Sequence, residues 1–177
     1  MPYRISASKS LCLQLSNIKS DTWTSYWEFG QLWDASFSPS AKYAVEVANG
    51  ALLLLDCTTR SERVLLPGSV ASADTQPYSP PAWSPDEKEF AYVSDWEGDG
   101  EIWIYDLASD TTRRLTNNDY DDYSPAWSPD GDYIAYVSEE DVFPAIRIFS
   151  VEDGKMWSIT DGEHEDVSPI WRSKEGR

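Results

Sequence analysis

The chain has 177 residues, 41% of them apolar, and 31 Asp and Glu stand against 14 Lys and Arg for a formal net charge of −17. Nine Trp and ten Tyr within that apolar fraction are enough to bury a core, which excludes a disordered chain. So negative a surface repels phosphates and anionic headgroups, so nucleic acid and membrane are poor partners, and basic proteins, basic peptides or cations are better ones.

The N-terminal stretch MPYRISASKSLCLQLSNIKS is polar and alternating and has no secretory pattern, and no apolar run reaches the roughly 20 residues that span a bilayer. A cytoplasmic chain is expected, or a periplasmic or extracellular one if a leader has been removed. Cys12 and Cys57 form no disulfide framework and read as reduced, partly buried thiols.

Taken in chain order, YRISASKSLCLQL from Tyr3 and DTWTSYWEF from Asp21 read as the first strands. ASFSPS from Ala35 follows, then YAVEV from Tyr43, ALLLLD from Ala51 and ERVLLP from Glu62. The same order returns as PPAWSPDEKEFAYVS from Pro80, EIWIYDL from Glu101 and TRRLT from Thr112. It returns again as SPAWSPDGDYIAYVS from Ser124, AIRIFSV from Ala145 and KMWSIT from Lys155. SPIWR from Ser168 reopens the pattern. Trp83, Trp127 and Trp171 stand 44 residues apart, and Phe37 takes the same place 46 residues before Trp83.

The runs are short, rich in β-branched and aromatic residues, and bounded by Gly, Pro, Asp, Asn or Ser, with no sustained helical spacing. The middle run of each unit is apolar on consecutive residues, so both of its faces are covered. Four strands per unit of about 44 residues, stacked face to face, predict an all-β fold, a β-propeller of four-stranded antiparallel blades. In the Ser-Pro-Asp that follows Trp83 and Trp127, Pro presets φ and Asp favours a tight reversal.

The repeats resemble the WD40-like PD40 repeats of TolB-like β-propellers, strongly over residues 78–172 and in register over 33–67. Phase suggests a single domain over 1–177. Blades are expected near 33–67, 78–116 and 123–160, with a fourth shared between 1–31 and 167–173. Tyr3 onward lines up with Tyr43 onward, so the chain opens on a second strand and SPIWR is a first strand. Joining the two would remove exposed sheet edges. TolB-like rings generally have more than four blades, so two chains forming one eight-bladed ring is the alternative, and the expected state is a monomer or a homodimer through blade closure.

In such a blade, second-to-third-strand loops and blade-to-blade loops emerge on one face. The windows 95–101, 117–123, 138–142 and 161–166 fall there and hold fourteen acids with no Lys or Arg. Lys42, Arg60, Arg63, Lys88, Arg113, Arg114 and Lys155 are assigned to the opposite face. Acidic loops are commonly only solvated; clustered like charge also steers an oppositely charged partner, with aromatic anchors supplying affinity. The candidate partner-binding residues are Trp96, Glu97, Asp99, Asp119, Tyr120, Asp121, Asp122, Glu139, Glu140, Phe143, Glu163, His164, Glu165 and Asp166. Asp95, Glu97, Asp99 and Glu101 alternate around Gly100 in a way that resembles the start of a Ca²⁺ loop, although an acidic turn without metal explains them as well.

No catalytic centre is legible. A lone histidine, His164, cannot build a multi-His metal site, and no nucleophile elbow or phosphate-cradling Gly loop occurs. The resemblance implies a non-catalytic protein-interaction or scaffold module without a required cofactor. The alternative is a propeller subunit associated with a carbohydrate-active enzyme or a prolyl oligopeptidase-type peptidase.

Overall fold

The computed structural model describes residues 35–48, 50–68 and 79–172. Among them are twelve strands and no helix, in three four-stranded antiparallel sheets whose strands are ordered as in the chain. The first sheet is β1 (Ala35–Phe37), β2 (Tyr43–Ala48), β3 (Ala51–Asp56) and β4 (Ser61–Leu66). The second is β5 (Ala82–Trp83), β6 (Glu89–Ser94), β7 (Glu101–Asp106) and β8 (Thr111–Arg114). The third is β9 (Asp122–Trp127), β10 (Tyr133–Ser138), β11 (Ala145–Ser150) and β12 (Met156–Ser158).

Ser-Pro-Asp builds the same reversal in the second and third sheets. Ser84 Oγ donates to Asp86 Oδ1 at 2.8 Å and accepts from Glu89 N at 3.1 Å; Ser128, Asp130 and Tyr133 repeat this at 2.6 and 3.0 Å. The turn needs one residue at positive φ. Gly131 supplies it at 82°, whereas Ala41 at 56° and Glu87 at 60° hold it with a Cβ in place. Asp56 and Asp106 each cap the following turn, accepting from the backbone N–H of Thr58 and Thr59, or of Ala108 and Ser109.

The sheets stack through their β-branched and aromatic faces. Between the first two lie Val45, Leu52, Trp83, Phe90, Tyr92 and Tyr105, with the Phe90 and Tyr105 rings stacked at 5.3 Å. Between the second and third lie Ala91, Val93, Ile102, Ile104, Tyr123, Ile134 and Tyr136. This two-sided burial is the reason β7 and β10 are apolar on consecutive residues. The first strands β1, β5 and β9 are successive neighbours, as around a common axis.

The tryptophan repeat has a physical basis. The Trp83 indole donates to the Ser36 carbonyl at 3.1 Å and stacks on Tyr43; the Trp171 indole donates to the Ala126 carbonyl at 2.9 Å and stacks on Tyr133. Each ties a first strand to the sheet before it. Trp127 departs from the rule: Glu89 replaces the stacking tyrosine, and the buried Trp127 Nε1 finds no acceptor.

One expectation changes here, and another lies in part outside the described residues. Residues 167–172 form no strand among the described residues. The N-terminal half of the expected shared blade lies outside the described residues. Cys57 is not a free thiol but disulfide-bonded, and it packs against Phe37, Ala44 and Leu55 of the first sheet. Its partner is outside the described residues.

Candidate functional site

The loops expected on one face are joined there by main-chain hydrogen bonds, because each blade begins where the preceding blade turns. Asp122 N donates to Gly100 O at 2.6 Å, Glu139 N to Asp121 O at 3.0 Å, and Asp166 N to Pro144 O at 2.9 Å. Asp121 Oδ1 accepts from Gly100 N at 2.6 Å. Gly162 lies so close to Asp141 that an added Cβ would meet that side chain at 2.3 Å. Each of the four acidic loops thereby touches the next.

Glu97, Asp99, Asp119, Glu139, Glu140, Glu163, His164 and Glu165 are exposed on these loops, while Asp95, Asp121 and Asp166 are half-buried. Trp96 is 71% exposed and Val142 90%, and Tyr120 and Phe143 are also exposed. Tyr123 is buried, and burial followed by the charge of Glu139 pushes its phenol up to about 12.

Asp122 is the exception among the candidates. It has 0% exposure, so it faces the interior and not a partner. Glu101 is equally enclosed and is held by Arg114 Nη2 at 2.8 Å, Asn118 N at 2.8 Å and the Thr116 hydroxyl. Asn118 Nδ2 also donates to Asp122 Oδ2 at 2.7 Å, which leaves Asp122 Oδ1 buried without a partner. Burial therefore pushes the Asp122 carboxyl up to about 6, Ser138 and Asn118 pull it back, and Glu101 adds to the rise.

The Ca²⁺ reading does not match this geometry. Glu97 and Glu101 both grip Arg114, at 2.7 and 2.8 Å, and Asp106 caps its own turn. Among the described residues no three His, Cys, Asp or Glu gather as metal ligands.

Arg114 also corrects the expected charge division. Its sequence position points to the opposite face, but the end of β8 delivers its guanidinium to Glu97 and Glu101 of the acidic loops. Arg147 on β11 does the same for Glu140 and Asp141, at 2.8 and 3.0 Å. Both arginines sit on strands, and cross-strand pairing was the signal that could have placed them. At the other end of the sheets Lys88, Lys155 and Arg63 pair with Asp86, Asp153 and Asp110.

Stacked four-stranded antiparallel sheets with a recurring Trp anchor define the class as a β-propeller, of which three blades are described. The family described as "TolB beta propeller domain" (PD40) matches residues 44–177, and the chain belongs to it. No curated protein matches the sequence. Among solved structures, the chain is similar to a TolB-type protein of Agrobacterium tumefaciens, at 26% identity and TM-score 0.66, over 77% of this chain and 48% of that one. It is also similar to TolB of Acinetobacter baumannii, at 22% identity and TM-score 0.62, over 76% of this chain and 33% of that one. The fold is shared as well with tricorn protease, at 17% identity and TM-score 0.56, over 74% of this chain and 15% of that one. The chain spans half or less of the length of each.

Proposed function

We propose that the chain is a non-catalytic interaction module that docks a basic protein or peptide on its acidic rim. The observation that carries this reading is the joined set of loops, which holds exposed carboxylates together with Trp96, Tyr120, Val142 and Phe143 standing free of the core. Charge on such a rim raises the encounter rate, and the aromatic side chains are the anchors that slow release.

The test is binding of a lysine-rich peptide by Glu139→Lys/Glu165→Lys. Both side chains are exposed, so the reversal leaves the fold intact. Affinity is expected to fall at least about tenfold and its salt dependence to flatten. Unchanged binding and salt slope exclude the acidic rim as the docking face.

A second reading is a propeller portion working beside a peptidase, favoured by the shared fold of tricorn protease. It predicts co-purification with a chain that hydrolyses peptides. The disulfide at Cys57 supports an oxidising compartment, and so the exported alternative over the cytoplasm.

A further inference from the structure

The loop that carries Asp119 and Tyr120 is tied to two enclosed carboxylates, Asp122 at the start of β9 and Glu101 at the start of β7. Asn118 makes the ties. Its backbone N–H donates to Glu101 Oε1 at 2.8 Å and its side-chain Nδ2 to Asp122 Oδ2 at 2.7 Å. Its own Oδ1 accepts from Tyr120 N at 2.8 Å. Asn118 is exposed and Asp122 is not, so this amide stands where the pair of carboxylates meets solvent.

Charge is not balanced there. Arg114 of β8 grips Glu101 and Glu97. Arg147 of β11 is engaged by Glu140 and Asp141. From β10, Tyr136 and Ser138 stand near Asp122, and Thr116 and Asn118 do so from the segment after β8, but none of these four is a cation. The charge that Asp122 feels is the like charge of Glu101. Ionised, it keeps Oδ1 buried and unpaired; protonated, Oδ1 becomes a donor with the Ser138 hydroxyl beside it. Burial accordingly pushes this carboxyl up to about 6.

We propose that Asp122 is an acid-set latch on residues 118–121. With the carboxyl protonated, Asn118 closes over it and fixes the backbone of Tyr120. Ionisation draws water to Oδ1, and Asn118 and the loop lift to admit it. That the latch governs docking, by presenting Tyr120 in one position, rests on the acidic-rim reading; the loop motion does not. On that reading a basic peptide binds more tightly at pH 5 than at pH 7.5, whereas loss of surface carboxylate charge on acidification has the opposite sign.

The experiment is ¹⁵N relaxation of the full, oxidised chain at pH 5.0 and 7.5, with relaxation dispersion for slower exchange. The amides of residues 118–121 are expected to be rigid at pH 5.0, with order parameters of about 0.85. At pH 7.5 they fall below about 0.6 or show exchange. In Asp122→Asn, which cannot ionise, they stay rigid at both. Amides equally rigid at both pH values in the parent overturn the proposal, whatever the variant does, and so does a change that persists in Asp122→Asn. A lysine-rich peptide separates the two readings: its affinity for the parent should rise several-fold at pH 5.0 and that for Asp122→Asn should not. Amides that switch while the peptide ignores pH uphold the latch and remove docking through Tyr120.

Discussion

Trp83 and Asp122 are both enclosed side chains, yet their surroundings treat them in opposite ways. The Trp83 indole has its acceptor, a stacking ring and a buried seat, so Trp83→Ala leaves a large cavity between two sheets and a carbonyl without its donor. The loss is about 4 kcal/mol, read from urea unfolding. Asp122 is enclosed with one oxygen unpaired. Its pKa of about 6 lies above the unfolded value of about 4. A raised pKa means that protonation favours the fold: this contribution is complete below about pH 4 and is lost as the pH rises through 6. Asp122→Asn should therefore abolish a decline of about 2 kcal/mol between pH 4.5 and 7.5, seen as the difference between variant and parent unfolding curves. Parallel curves would show that the carboxyl does not titrate as its setting implies. The repeat in the sequence exposes Trp83 directly, while Asp122 looks like any of the neighbouring surface acids. Only its burial beside Asn118 and Glu101 separates it from Asp121.

Among the elements, the reversal between first and second strands invites a paired test. Gly131→Ala forces a Cβ to positive φ and to 3.3 Å from Pro85 Cγ, which costs about 1 kcal/mol. Ala41→Gly relieves the same conformation in the first sheet and should raise stability by several tenths of a kcal/mol, with thermal melts of both variants as the check. The β8 end is the other sensitive element. Arg114 holds the enclosed Glu101 and the exposed Glu97 together, and Arg114→Met leaves the Glu101 carboxylate without its cation. A loss of about 3 kcal/mol is expected, and Glu97→Gln, which removes only the exposed partner, should cost less than about 1 kcal/mol. The strands were legible because their apolar runs are short and punctuated by Gly, Pro and Asp. The destination of Arg114 was not, since a strand-terminal side chain reaches whichever face its cross-strand neighbour occupies.

At the level of the molecule, the three sheets form a partial TolB-type propeller, and the proposed acidic rim rests on the loops that its blades join. Proteins with so many acids side by side strain against self-repulsion when ionic strength is low. Raising the salt from 0.01 to 0.5 M should therefore increase the melting temperature, and Glu139→Lys/Glu165→Lys should shrink that increase. A melting temperature that is flat in salt would mean that the rim carries little mutual repulsion and little long-range field.

The residue order alone determined the strand content, the 44-residue unit and the family, because stacking sheets demand apolar faces at fixed spacing and the repeated Ser-Pro marks the tight reversal after each first strand. Only the tertiary structure decided which acids are surface and which are core, where Arg114 and Arg147 point, and that Cys57 is bonded. Those depend on which segment lies across the sheet, a contact between residues far apart in the chain that local pattern does not encode.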